Sequence, residues 1–405
     1  MFAAVLFFAL AADSKEKSYV VDLYSYQDFG PFSRQQFIVW PSNDSLIYKN
    51  VPKEIDEFVV RNISLLEQQI LILIGTKNNK RVIIVDSDND KDFGNEEILE
   101  YEYPISIEKY QEIQDSLPTI STRLEYLENG QLLTKNVNLK PSPYEGSLIL
   151  TFNTENETEK KYLLFVSFPE HKRGAIHLNN SDLTVFVSSG SRALHYLKSY
   201  ASVFIEHKSS NIDDFRKNIP YKIGDVFNVN GNDYLIDSVS KWGNELFIEY
   251  IGKNERPTGV SEGYYLPDFH ATYLDNTDFD IKKYSGKYIL LDFWGTWCNP
   301  CIKLIPELKE LHSEFSDKNF VMISVAYDRN PETVMDFVVA ENMNWQHLFV
   351  DINEYNYKSI INRLKITSYP TTILISPENK IIGRNLKIDD IRELLLYLDF
   401  KKKSE

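Results

Sequence analysis

Apolar residues fall into two different rhythms along this 405-residue chain. From residue 13 to about 255 they come in short runs rich in Val, Ile, Tyr and Phe, cut by Asn, Asp, Gly or Pro. Residues 37–40, 70–74, 82–85, 148–152, 162–168 and 184–187 are such runs. Each is short, and its branched and aromatic side chains suit a pleated surface, so each predicts a strand. Gly231-Asn232 separates the runs 226–229 and 234–239 and predicts a hairpin. A further strand is expected over 246–251, after the turn at Gly243-Asn244. Residues 192–205 have an ambiguous pattern that admits a helix. The pattern predicts a mostly β N-terminal domain over 13–255, sandwich-like, with a break into two subdomains near 190–220. Gly, Lys, Asn, Pro and Ser crowd residues 252–263 and predict a linker.

Beyond residue 264 strands and helices alternate. Residues 288–293 form an apolar run interrupted only by Asp292, and 320–326 and 347–350 are further buried-type strands. Helices are expected from about Pro300, over 331–342 with Pro331 in the first turn, and over 355–364. The runs 371–376 and 380–383 predict a hairpin around Pro377-Glu378-Asn379, and 389–398 a closing amphipathic helix. This succession predicts an α/β domain over 264–402.

The chain opens with an apolar run over residues 2–12, and Ala9-Leu10-Ala11 has the small-x-small form of a cleavage site. Residues 1–12 therefore read as an export signal, although no Lys or Arg precedes the run. The plainer alternative is a buried strand. The run is too short to span a bilayer as a helix. The expected location is the periplasm or cell envelope, with a membrane anchor if the signal stays uncleaved.

Composition narrows the class. With 25 Tyr and 24 Phe in a chain that is 43% hydrophobic, large cores are available and a mainly disordered chain is excluded. A net charge of −15 repels phosphate backbones, so no nucleic-acid partner is expected. Only two cysteines occur, Cys298 and Cys301. That excludes a disulfide framework and a four-cysteine zinc site within one chain. Seven histidines show no close ligand spacing.

Both cysteines sit in Trp294-Gly295-Thr296-Trp297-Cys298-Asn299-Pro300-Cys301, where a strand gives way to a helix. Free N–H groups and the dipole at a helix N-terminus stabilise a thiolate at Cys298. A thiolate is the nucleophile of disulfide exchange, and Cys301, one turn on, is placed to attack the resulting mixed disulfide. The bland alternative is an inert buried pair or half a metal site. Asp292, alone in its apolar strand, is expected to be buried with a raised pKa.

From residue 264 to 400 the chain resembles the thioredoxin superfamily, most of all the exported TlpA/ResA-like thiol-disulfide oxidoreductases. The residues that carry the resemblance are Leu266-Pro267-Asp268-Phe269, the strand into the CxxC, Pro306, Tyr369-Pro370-Thr371-Thr372 and Gly383. The 69 residues from Cys301 to Pro370 leave room for the helix–strand insertion of this group, with 331–350 the candidate. The resemblance implies a cis peptide before Pro370, and a substrate-binding role for Trp297, Tyr369 and Pro370. It implies that Asp292 accepts a proton from Cys301, and that the cofactor is nothing beyond the Cys298–Cys301 disulfide. It further implies protein dithiol or disulfide substrates, a membrane or periplasmic thiol as electron donor, and reduction as the favoured direction. The dipeptide departs from Gly-Pro: Asn299 stands between Cys298 and Pro300.

Three alternatives stand beside an oxidoreductase. A peroxiredoxin-type thiol peroxidase requires a Pro-x-x-x-Thr-x-x-Cys setting, but residues 291 and 295 are Leu and Gly. A non-catalytic binding module would leave the thioredoxin domain vestigial. A metal or iron–sulfur site shared between two subunits would need two chains to supply four cysteines. Separately, Asp86, Asp88, Asp90, Asp92 and Glu97 have the spacing of a Ca²⁺-binding EF-hand loop, with Lys91 where glycine is expected and a strand in place of the leading helix. A solvated acidic turn is the plainer alternative there.

Overall fold

The computed structural model describes residues 17–32, 37–39, 46–65, 68–143, 162–190, 195–207, 219–354 and 356–404. The export signal expected at 1–12 and the strand expected at 148–152 lie outside them. The chain forms two compact units, one of Met1–Ser209, Pro220–Val229 and Tyr234–Ile251, the other of Ser210–Ile219, Asn230–Asp233 and Gly252–Glu405.

The first unit is mostly β, as its short apolar runs predict. Glu57–Leu65, Gln68–Lys77, Lys80–Val85 and Leu99–Tyr101 form an antiparallel sheet. Ile70, Ile72 and Ile74 share a core with Leu124, Leu139 and Val166 from the sheet of Phe37–Ile38, Phe165–Ser167, Gln131–Ser142 and Ile120–Glu128. Leu71 and Leu73 turn to the opposite face, against Val82, Ile84 and Phe93. Burial on both faces explains why residues 70–74 read as an unbroken apolar run rather than an alternating one.

A second pair of sheets encloses Val21, Val185, Val203, Phe227, Ile236 and Leu246. Here Ser202–His207 is a strand, not the end of the helix admitted over 192–205. Val203 and Ile205 face the core while Phe204 turns the other way onto Phe32, so the two-residue period prevails over the helical one. Ser18–Asp22 and Tyr24–Tyr26 complete this second pair beside strands from His171 onward. The chain therefore passes between sheet pairs at Ser167–His171, earlier than the break expected near 190–220.

The second unit carries one six-stranded sheet, ordered Thr272–Tyr273, Gln346–Asp351, Phe320–Asp328, Tyr288–Trp294, Thr371–Ile375 and Ile381–Arg384. Tyr288–Trp294 lies parallel to Phe320–Asp328 and antiparallel to Thr371–Ile375. Its alternate residues serve two cores. Leu291 and Phe293 meet Ile323, Ile373 and Leu364 on one face. Leu290 meets Leu308, Leu311 and Ile391 on the other, from the helices Asn299–Phe315 and Ile388–Ser404.

Two local expectations are corrected. The helix expected over 355–364 is the single turn Ile360–Arg363, started by Ser359 Oγ accepting from Asn362 N–H. Asn356 ahead of it takes the Lys358 N–H on its side chain, a turn that competes with helix. The segment 252–263, expected as a linker, is tied into this unit: Gly259 N–H donates to the Tyr265 carbonyl, and the Arg384 guanidinium to the Val260 carbonyl.

Ile391 is fully buried beneath the sheet, whereas Leu396 on the same helix is 43% exposed. Ile391→Ala is expected to cost ~2–5 kcal/mol, and Leu396→Ala less than ~0.5 kcal/mol, read as the shift in urea midpoint for the second unit.

Candidate functional site

The central strand delivers the cysteine motif to the head of a helix. Tyr288–Trp294 ends at buried Trp294, and Asn299–Phe315 begins five residues later with Pro300 in its first turn, where a missing N–H costs nothing. Cys298 is the N-cap: its sulfur accepts the Cys301 N–H at 3.3 Å, while its carbonyl accepts the Ile302 N–H. Cys298 and Cys301 are joined as a disulfide. Both are 3% exposed and pack with Trp294, Ile305, Ala326 and Met343. After reduction, the N–H and the dipole at that helix end favour negative charge on Cys298.

Gly295 makes the turn before the motif. A Cβ there would lie 2.6 Å from the Trp297 indole nitrogen and 2.8 Å from the Tyr327 carbonyl. The absent side chain lets Trp297 fold back and donate its Nε1–H to that carbonyl at 2.9 Å. Asp328 holds the next residue, accepting from Thr296 N–H and Oγ–H, both at 2.7 Å.

The loop before Thr371–Ile375 closes over the motif. The Tyr369–Pro370 peptide is cis. The Tyr369 ring stacks on Tyr327 at 5.7 Å, meets Trp297 edge-on at 5.4 Å, and packs against the cysteine cluster. Trp297 is still 51% exposed, so this trio presents an apolar surface beside the disulfide. Tyr369 thus packs on the cluster of Cys298 and Cys301 and joins Trp297 to it, with Pro370 next to Tyr369 across the cis peptide.

Beneath them lies a buried polar chain. Alternation along the strand turns Asp292 to the same face as Leu290 and Trp294, and strand pairing sets Ser324 opposite it. Trp345 donates Nε1–H to Ser324 Oγ at 2.8 Å, and Ser324 donates to Asp292 Oδ2 at 2.9 Å. Burial pushes the Asp292 carboxyl up to about 6, and the Ser324 hydroxyl opposes that rise. His347, stacked on Trp345, is pushed down to about 4 by burial and stays neutral at physiological pH.

Ser324, Trp345, Asp328 and Tyr327 were not singled out from the sequence. Ser324 and Asp328 interrupt a buried strand and were findable as polar residues in an apolar run. Trp345 lies in the loop before its strand and carries no local signal.

The acidic loop of the first unit is arranged differently from the EF-hand spacing. One carboxylate oxygen each from Asp86, Asp88 and Glu96 converge, all within 4.8 Å of one another. Asp90, Asp92 and Glu97 are not part of that group. Asp92 caps the short turn Phe93–Asn95 through Gly94 N–H and takes the Asn50 amide and the Lys49 ammonium. Asp90 accepts the Asp92 N–H. Phe93 in this turn is buried, and Glu96 rather than Glu97 joins Asp86 and Asp88. Lys91 adopts φ +65°, the left-handed conformation expected of glycine at its place.

Residues 286–381 of the second unit, which include the Cys298–Cys301 pair at a helix N-terminus, match the thioredoxin-like family model. In sequence the unit is similar to the thiol-disulfide oxidoreductase ResA of Bacillus cereus, 29% identical over 150 residues, 37% of this chain and 82% of that protein. It is also 28% identical over 149 residues to the thioredoxin-like protein YneN of Bacillus subtilis, 34% of this chain and 81% of that one. Among solved structures, the thioredoxin domain of a thiol-disulfide oxidoreductase from Bacteroides vulgatus is 26% identical, with 35% of this chain and 99% of that one covered and a TM-score of 0.32.

The raised carboxyl makes a stability prediction. Asp292 holds its proton better folded than at its ordinary value of 3.8, so this term favours folding at low pH and is lost as pH rises through about 6. Asp292→Asn is therefore expected to match the native chain near about pH 4 and to be more stable by up to ~3 kcal/mol near about pH 8. Urea unfolding of the oxidised protein at both pH values checks this; an equal difference at the two would remove the buried ionised carboxylate from the account.

Proposed function

We propose that this chain is an exported thiol-disulfide oxidoreductase that acts chiefly as a reductase of protein disulfides. The observation that carries the reading is the Cys298 sulfur at the helix N-terminus, bonded to Cys301 and receiving the Cys301 amide. The similarity to the thiol-disulfide oxidoreductase ResA supports disulfide exchange, and the apolar run at 2–12 supports export. Among the described residues no helix is long and apolar enough to cross a membrane.

In the reduced enzyme the Cys298 thiolate attacks one sulfur of a substrate disulfide. A mixed disulfide forms and the first substrate thiolate leaves. Cys301 gives its proton to Asp292 and its sulfur attacks Cys298 Sγ, which expels the second substrate thiolate and restores the Cys298–Cys301 bond. Asp292 suits this step because burial makes it a stronger base than a solvated carboxylate. Protonation of the leaving thiolates balances the exchange, and an external dithiol, supplied by a membrane or periplasmic donor, resets the pair. An extended substrate segment lies along Tyr369 and Pro370, with Trp297 as an apolar contact.

Insulin reduction driven by dithiothreitol tests the reading. Cys298→Ser is expected to abolish turnover. Cys301→Ser is expected to retain attack but to accumulate mixed disulfides, visible on non-reducing gels. Turnover by Cys298→Ser would overturn the assignment of the nucleophile. Direction is read from glutathione or dithiothreitol equilibration: a potential towards about −270 mV, the thioredoxin end, supports a reductase, and one towards about −120 mV makes it an oxidant.

A further inference from the structure

We propose that Asp86, Asp88 and Glu96 hold one Ca²⁺ ion in the N-terminal β unit, at the loop between the strands Lys80–Val85 and Leu99–Tyr101. The site shares no residue with the redox chemistry.

Asp86 carries the argument. It is 0% exposed at the end of a buried strand. Its Oδ2 accepts the Lys91 N–H at 3.1 Å, but its Oδ1 is buried with no hydrogen-bond partner. A buried carboxylate oxygen left without a donor is costly, and folded proteins satisfy such groups or neutralise them. The groups that share its surroundings make the deficit worse, because one oxygen each of Asp88 and Glu96 lies within 4.8 Å of one Asp86 carboxylate oxygen and of each other. Three carboxylates so close repel one another unless a cation lies between them.

The donor set selects the cation. All three donors are hard carboxylate oxygens, and no nitrogen or sulfur joins the group, which disfavours zinc and copper. Oxygens up to 4.8 Å apart span an ion with bonds of about 2.4 Å, the Ca²⁺ range. Mg²⁺ prefers one or two carboxylates and keeps most of its water, whereas Ca²⁺ accepts several carboxylates in irregular geometry. The surrounding contacts hold the donors in place. Ser87 donates both its N–H, at 2.6 Å, and its hydroxyl to Glu96. Asp88 accepts the Asp90 N–H on Oδ1 and, at 3.4 Å, the Asn95 amide on Oδ2. Asp88 is exposed and provides the route by which the ion and its remaining waters enter.

The test uses the full chain, stripped with EGTA and titrated with CaCl₂ by isothermal calorimetry, with thermal unfolding followed in parallel in CaCl₂ and MgCl₂. One Ca²⁺ per chain is expected, with a Tm that rises with Ca²⁺ more than with Mg²⁺. Asp86→Asn and Asp88→Ala are each expected to weaken binding about tenfold or more, and Glu97→Gln by less than about twofold. The Glu97 variant separates this cluster from the spacing read along the sequence. Should Asp86→Asn fail to fold, Asp88→Ala, on an exposed residue, carries the comparison. No heat and no stabilisation at about 1 mM free Ca²⁺ would overturn the proposal, as would an equal response to Mg²⁺, or a loss at Glu97→Gln as large as at Asp88→Ala.

Discussion

The redox site depends on one junction, where a strand buried on both faces stops and a helix starts with a sulfur as its cap. The Cys301 amide donates to the Cys298 sulfur only because Cys298 occupies the N-cap. It occupies the N-cap because Gly295 permits the turn and Asp328 holds Thr296 within it. That strand in turn is held from both sides, by Leu364 and Ile373 on one face and by Leu308 and Ile391 on the other. Loosening any of these layers moves the sulfur relative to the helix end, and the effect of a dipole and its free N–H groups falls off within one turn.

Burial that fixes the strand also sets the character of its one carboxylate. Asp292 faces the motif helix because side chains alternate, and its place in the sheet excludes water. A carboxyl in that position holds its proton more firmly than one in solvent. The single hydroxyl of Ser324, itself oriented by Trp345, keeps it ionisable. The chain Trp345–Ser324–Asp292 therefore gives up stability at neutral pH to keep a carboxyl buried in the strand that leads into the cysteine motif, an arrangement common where function and packing compete.

The N-terminal unit answers a different constraint. Its sheets pair face to face, and strands from the start of the chain join sheets built from residues after 170. Long-range pairing of this kind leaves loops whose backbone must be satisfied by their own side chains. The acidic loop after Val85 does so through Asp92, Asp90 and Asp88 in succession, each accepting an N–H two residues on. Asp86 is left with a buried carboxylate oxygen that has no hydrogen-bond partner among the described residues.

Much of this was determined by the sequence alone. Short apolar runs rich in branched and aromatic residues specified the β unit, the alternation of strands and helices specified the α/β unit, and the CxxC at a strand–helix boundary marked the candidate site. These features are local, since each rests on residues within one or two turns of each other. Tertiary structure decided what depends on residues far apart. It made Ser202–His207 a strand, because neighbouring strands offered Val203 and Ile205 an apolar face. It set Ser324 and Trp345 on Asp292, and Tyr327 and Tyr369 beside Trp297, through pairings spanning tens of residues. It also set Glu96 rather than Glu97 in the acidic cluster, next to a turn whose Phe93 is buried, and spacing along a chain carries no record of where a side chain will find its core.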